Sequence, residues 1–555
     1  MKDGLSISLV LLLAVVANAQ TASFDEVRDV FGEAASQHEP FSAPCFQDWD
    51  SAECITIRTN YLSGSFRTRV PSSMVQTQWE TCQRSGEQCL LDASNPNNRP
   101  AVNQMTCARG SVPDYFVQVS NYSQVQEAFQ FSRDTGVPIL VKNTGHDYLG
   151  RSSGRGSLSL WTHNLKQIAF HRDFKAEGCS KTYETAITIG AGVQFTELYA
   201  FADANNVTVI GGEKLLGGGG HGPLTNTLGM AADRALQFRV VTPDGQYRTV
   251  NACQNEDLFI ALRGGGGGFA VILEMTYLAT PRVTLQAIFL SFPGTPDTTK
   301  ELFFVLIDNG LRWSQEGWGG FTTTGVFIYI NPVLNATQAV ESMTPIAELS
   351  ERLKTAGVTN VSLTQATFPS YLSWYRVFFA ANIAAQGINM PFSSRLVPKT
   401  SFATAESRAE LLAAYEAAYK ITPRLIIHSV TPASYAGDGQ TSMTPAWRNS
   451  VFHTTMVDTW RWNATRAEKL AGYRKVGESA DHLRRITPDA SYSNEADIYE
   501  PNHKVAHWGS NYDKLLSIKN KYDPERLLDC WHCVGFDPSS PRFGCYFSEA
   551  EVKGR

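Results

Sequence analysis

Apolar and polar positions become periodic only from Pro113 onward. Residues 115–119 read as a strand, and residues 123–129 open an amphipathic helix behind a capping signal. The apolar run 136–141 follows as a buried strand, so the three segments predict a βαβ unit. Residues 157–161 and 186–189 predict further strands, 190–192 a glycine turn, 196–204 a helix, and 207–210 and 270–273 two more strands. Between about 283 and 485 the glycine clusters stop, and β-rich runs at 286–292 and 325–330 mix with helices such as 405–419. The tail from about 486 is dense in aromatic and charged residues. It predicts a solvated strand near 492–512 and an amphipathic helix that Pro524 stops.

The first nineteen residues have the form of a secretory signal: Lys2, an apolar core from Ile7 to Val16, and small residues Ala17 and Ala19 ahead of Gln20. No later apolar run reaches the roughly 20 residues of a membrane span. Five glycosylation acceptors, at Asn121, Asn206, Asn335, Asn360 and Asn463, fit an exported chain. Ten cysteines permit five disulfides in an oxidising compartment, and five of them crowd residues 20–107. Their connectivity is not fixed by spacing. The net charge of −5 carries no basic run, which gives no sign of a nucleic-acid partner. A mature chain of about 535 residues exceeds one ordinary core, so two or more domains are expected.

Chemistry concentrates in glycine-rich loops beside strands. Residues 142–153 carry His146 at the apex of a loop bounded by Gly145 and Gly150; residues 217–222 are four glycines, His221 and Gly222; residues 264–268 are five glycines. Three such runs fit backbone N–H groups converging on an anionic cofactor. None is a Walker motif, and the turn at 190–192 lacks the third glycine of the dinucleotide fingerprint. Two other patterns compete. Gly150-Arg151-Ser152-Ser153-Gly154 matches a serine-hydrolase elbow, but that chemistry needs a following helix and a strand is predicted there. Cys530-Trp531-His532-Cys533 has thiol-redox spacing, yet in an exported, cysteine-rich chain it reads as a structural disulfide partner.

The segments 142–153, 218–221, 232–245, 492–497 and 508–512 together resemble secreted fungal FAD-linked oxidases of the berberine-bridge-enzyme type, in the vanillyl-alcohol-oxidase superfamily. The stretches 79–89 and 107–113 resemble its isoamyl-alcohol-oxidase-like branch, which includes oxidoreductases of fungal secondary metabolism. The resemblance implies an α+β fold. A flavin-binding domain of the PCMH type (108–282) would be completed by the tail (486–540), with an inserted antiparallel-sheet substrate domain (283–485) and the cysteine-rich segment 20–107 packed alongside.

It further implies FAD held covalently through His146. Lys142, Asn143, Thr144, Gly145, Asp147, Tyr148, Gly150, Arg151, Ser152, Gly219, Gly220, His221, Val241 and Asn494 would line the cofactor. Relatives often add a cysteinyl tether before the second glycine run; no cysteine lies between Cys179 and Cys253, so attachment would be through histidine alone. Relatives also place about a dozen residues where this chain has only residues 213–217. A flavin-poor secreted relative is therefore the alternative that visible absorbance would separate. The implied reaction is oxidation of an alcohol to a carbonyl, with dioxygen giving hydrogen peroxide; oligosaccharide oxidation is the rival substrate class. Where relatives carry a substrate-facing tyrosine this chain has Glu495, the candidate base, whose pKa an apolar site would have to raise, with Tyr492 beside it. No metal ligand set is expected.

Overall fold

The computed structural model describes residues 22–103, 105–211, 220–379 and 386–553. The signal segment, the short stretch 213–217 and Gly219 lie outside the described residues.

The expected βαβ unit forms with one change. Asn121 caps the helix Tyr122–Thr135 by accepting from the Gln124 amide, and Gly136 ends it in the left-handed region at φ 73°. The flanking strands Tyr115–Gln118 and Ile139–Lys142 do not pair with each other. Leu158–Trp161 lies between them, parallel to both. All four of its residues are buried, so the most apolar strand takes the centre of the layer. A short edge strand, Ala35–Ser36, closes this sheet antiparallel to Tyr115–Gln118.

A five-stranded antiparallel sheet follows, in the order Ile168–Lys175, Thr182–Gly190, Val271–Leu278, Ala235–Val241 and Tyr247–Asn251. The region from 285 onward builds a seven-stranded antiparallel sheet. Its order is Ser362–Phe368, Leu285–Ser291, Val326–Asn331, Gly319–Thr323, Arg424–Ser429, Ser450–Val457, Phe392–Pro398. Strand periodicity divides its faces. Leu425 and Ile427, and Phe452 and Met456, join a core with the helices Pro296–Gln315, Thr344–Thr355, Ala405–Ile421 and Arg466–Arg484. His428 and His453 alternate with them and project from the opposite face, directly paired in register. The fold class is thus α+β, with an antiparallel sheet of its own between two segments of a glycine-looped unit.

All ten cysteines pair: Cys45–Cys54, Cys82–Cys545, Cys89–Cys107, Cys179–Cys253 and Cys530–Cys533. The second ties the N-terminal segment to the tail across 463 residues. The helix Tyr512–Tyr522 forms as expected, stopped before Pro524. The solvated strand does not. Residues 492–497 make a turn, with the Glu495 amide donating to the Tyr492 carbonyl at 3.0 Å. Side chains, rather than a ladder, take up its polar groups, and Tyr492 is buried. Among the described residues no helix is long and apolar enough to cross a membrane. Asn121, Asn206, Asn335, Asn360 and Asn463 are all exposed.

Candidate active site

The loop after Ile139–Lys142 can be drawn only with glycine at two places. Gly145 has φ 80°, and a Cβ there would sit 3.1 Å from Lys142 Cε and from Met74 Sδ. Gly150 has φ 78°, and a Cβ would enter the Trp79 ring at 2.3 Å. Lys142 lies beneath this loop, its ammonium donating to the Val70 carbonyl at 3.1 Å. Burial pushes its pKa down to about 7, against the pull of Glu80. It is a support for the loop and does not line the cleft.

Above the loop runs a cavity of about 300 Å³, lined by Asn143, Thr144, Gly145, His146, Asp147, Tyr148, Arg151 and Ser152. Its other walls are Gly220 and His221, the glycine run 264–268, Trp508, and two tail segments, 492–495 and 528–530 with Cys533 and Val534. Of the residues expected at the cofactor, Val241 is buried in its strand outside this lining, Gly150 faces a smaller neighbouring cavity, and Gly219 lies outside the described residues. Arg151 binds Asp147 Oδ1 at 3.2 Å and Asn494 Oδ1 at 2.7 Å, and the Asn494 amide donates to the Tyr492 hydroxyl at 2.7 Å. One polar chain therefore joins the loop to the tail.

This lining fits a large anionic cofactor. Backbone approaches closely at three glycine loops, Arg151 offers a cation, and two buried polar atoms on the wall, Asn143 Oδ1 and Trp508 Nε1, have no hydrogen-bond partner among the described residues.

At one end of the cavity Glu495, whose side chain is 20% exposed, meets two imidazoles. His453 Nε2 donates to Glu495 Oε2 at 2.8 Å, and His221 Nε2 lies 3.4 Å from Oε1. The carboxylate accepts, so the proton of His453 is assigned to Nε2. His428 stacks on His453 at 5.3 Å, while Trp447 and Tyr492 enclose the group.

The expectation of a raised Glu495 pKa is overturned. Burial does push it up, but the two imidazoles outweigh burial and hold it well below the usual carboxylate range. Burial lowers His453, with Glu495 pulling it back up, and lowers His428 strongly. Burial also raises the Tyr492 phenol, which stays protonated. The group is an ionised carboxylate between imidazoles rather than an isolated carboxyl in an apolar pocket. His221, Glu495 and His453 are moreover the one group of ligand-type side chains close enough to hold a metal ion among the described residues. The expectation of no ligand set therefore does not stand as a statement of geometry.

Sequence reasoning did not find His453 or His428, and it took Trp508 only as part of the segment 508–512, with no role in the site. A lone histidine in an apolar strand looks like any satisfied core residue. Only the register that pairs His428 with His453 and turns both toward the tail distinguishes them.

Comparison with known proteins places this geometry. The FAD binding domain family matches residues 113–251, and the berberine and berberine-like family matches residues 491–530. The FAD-linked oxidoreductase ffsJ of Aspergillus flavipes is 34% identical over 93% of this chain and 92% of its own length. The FAD-linked oxidoreductase cheF of Chaetomium globosum is 36% identical over 92% and 86%. Among solved structures, a VAO-type flavoprotein of Myceliophthora thermophila C1 superposes with a TM-score of 0.80 at 25% identity, over 94% of this chain and 96% of that one. The glucooligosaccharide oxidase of Acremonium strictum, at 20% identity and TM-score 0.61 over 76% and 91%, shares the fold.

Proposed function

From the premise that the chain belongs to the berberine-bridge-like FAD-linked oxidoreductases of the vanillyl-alcohol-oxidase superfamily, we propose that it oxidises an alcohol to a carbonyl compound and passes the electrons to dioxygen, giving hydrogen peroxide. The observation that carries this reading is the single cavity with His146 on one wall and the Glu495 cluster on another. When bound, FAD supplies the two-electron acceptor of the reaction. The loop 142–152 and the run 264–268 hold the cofactor through backbone groups, and Arg151 meets its anionic part. His146 is the point of covalent attachment. Cys179 and Cys253, the cysteines on either side of the second glycine run, are bonded to each other, which supports attachment through histidine alone.

The substrate hydroxyl proton goes to the set formed by His221, Glu495 and His453. Glu495 stays ionised, fixes the imidazole orientation, and stabilises the positive charge that proton uptake creates. Tyr492 and Trp447 close the site around the substrate carbon. The domain limits 108–282, 283–485 and 486–540 then acquire roles: cofactor cradle, substrate-facing sheet, and completion of both. Five disulfides and five exposed acceptor asparagines support export as a glycoprotein.

The test is anaerobic mixing of the purified protein with a panel of primary, secondary and benzylic alcohols and oligosaccharides. Bleaching of the flavin band by an alcohol, followed by peroxide release on admitting air, is the expected result. A flavin that only sugars bleach, or that none of them does, overturns the alcohol assignment.

A further inference from the structure

The Cys530–Cys533 disulfide stands apart from the other four. It closes a span of 3 residues, whereas the bridge from Cys82 to Cys545 closes 463. Cross-link stabilisation grows with the loop it closes, so this bridge restrains the unfolded chain least. Its place is equally unusual. Cys530 and Cys533 both line the cofactor cavity, together with Asp529 and Val534. Gly268 of the glycine run lies close by: a Cβ there would be in ordinary van der Waals contact, 3.8 Å from Cys530 Sγ and 3.9 Å from Cys533 Sγ.

The residues inside the bridge are held with care. The Trp531 indole stacks on Tyr546 at 4.1 Å and donates to the Ile498 carbonyl at 2.5 Å. His532 takes the left-handed conformation at φ 55°, rare for a side chain with a Cβ. It is buried at 1% exposure and stacks on His503 at 4.0 Å. Both of its ring nitrogens are buried with no hydrogen-bond partner among the described residues. An imidazole kept in that state costs stability and calls for a functional reason.

We propose that Cys530–Cys533 is a redox-active disulfide that exchanges two electrons with the flavin. The inference rests on the cofactor reading above. In the forward direction the S–S bond breaks and takes two electrons and two protons from the reduced, dihydro form of the flavin. The products are two thiols and oxidised flavin, so atoms and charge balance without dioxygen. The reverse step returns the pair to the disulfide. His532 lies between the two cysteines in sequence and takes the left-handed turn within the span that the bridge closes. The chain then stores four electrons where flavin alone stores two.

The test begins with the visible spectrum of the purified protein. A colourless protein overturns the cofactor reading and this proposal with it. If the flavin bands are present, the protein is photoreduced anaerobically until they bleach, quenched in acid, labelled with N-ethylmaleimide and mapped by mass spectrometry. Two labels on the peptide holding Cys530 and Cys533, with none on the other eight half-cystines, which bridge 45–54, 82–545, 89–107 and 179–253, is the expected result. A bleached flavin with that peptide unlabelled overturns the proposal while leaving the cofactor reading intact. Reductive titration gives a second measure. Wild type should consume four electrons per flavin and the C530S/C533S double variant two; equal uptake refutes it. Should the double variant fail to fold, the wild-type labelling alone decides.

Discussion

Replacing Glu495 by glutamine tests the proton-handling set most directly, because it removes one charge and almost no volume. The carboxylate accepts from His453 Nε2 at 2.8 Å and faces His221 Nε2 at 3.4 Å. Glutamine offers one acceptor and one donor in their place. In one orientation its carbonyl keeps His453 and its amide faces His221; in the other its amide opposes the His453 Nε2–H, and His453 must change tautomer. For His453 that change places an N–H at Nδ1, which is buried without a partner, at a cost of about 1–3 kcal/mol. Loss of a positioned acid–base group costs about 10², and loss of the carboxylate that fixes a catalytic imidazole's tautomer about 10⁴. The flavin-reduction rate should therefore fall by about 10²–10⁴, or about 2.7–5.4 kcal/mol of barrier.

Anaerobic stopped-flow bleaching with an alcohol that reduces wild type, at saturating concentration, isolates that step from reoxidation. Its pH profile identifies the acceptor. Burial lowers His453, so the rate of an imidazole base is lost as pH falls through a value below the ordinary histidine pKa of about 6.5. Glu495 pulls that value up, so E495Q should move the limb further toward acid. If the carboxylate itself took the proton, the wild-type limb would lie below the carboxylate range, where the imidazoles hold Glu495, and would vanish in the variant. A variant rate within about threefold of wild type, equivalent to less than about 0.7 kcal/mol, would refute the whole argument.

Three further outcomes are expected. His146→Ala should abolish flavin that survives acid precipitation if the imidazole is the attachment point, as proposed; acid-stable yellow colour in the variant removes the assignment. Lys519→Met should cost about 3–5 kcal/mol, the scale for breaking a buried ion pair. Its fully buried ammonium binds Asp523 at 2.6 Å and the Gly268 and Leu528 carbonyls at 2.6 and 3.1 Å. Urea midpoints measure this, and flavin retention should fall with them because Gly268 and Leu528 line the cavity; an unchanged midpoint shows that the clamp is inert. The exported protein should begin near Gln20 and shift mobility on enzymatic deglycosylation, and an intact Met1 with no shift defeats that expectation.

The cofactor half of the site was legible because its requirements are local. A loop that turns at Gly145 and Gly150 and presents His146 is written in consecutive residues, as are the helix cap at Asn121 and the helix stop before Pro524. The proton-handling half depends on register instead. His428 and His453 meet because two strands align at those positions, and nothing in either strand's own sequence sets that alignment. The direction of the Glu495 pKa was misread for the same reason. An apolar surrounding can be guessed from neighbours in sequence, but two imidazoles arriving from residues 221 and 453 cannot. The central position of Leu158–Trp161 was likewise a matter of topology, although its four buried residues mark it once the pairing is known.

The Glu495 cluster is composite in a way that constrains how such a chain diversifies. His221 comes from the glycine-rich cradle, His453 from the seven-stranded sheet, and Glu495 from the tail, so no single segment carries the proposed proton-handling set. The polar chain from Asp147 through Arg151 and Asn494 to Tyr492 joins cradle and tail with charged hydrogen bonds, and Lys519 pins the same two segments from behind. The sheet is held differently. Its helix-facing residues form one apolar core, while the face bearing His428 and His453 also carries Phe321 and Ile328, which pack into a second core. A substitution on that face must therefore keep those contacts as well as the carboxylate partner of His453. At the cavity wall the cradle and tail are equally constrained: Gly145 has no room for a side chain, and the buried Lys519–Asp523 pair holds the Gly268 and Leu528 carbonyls.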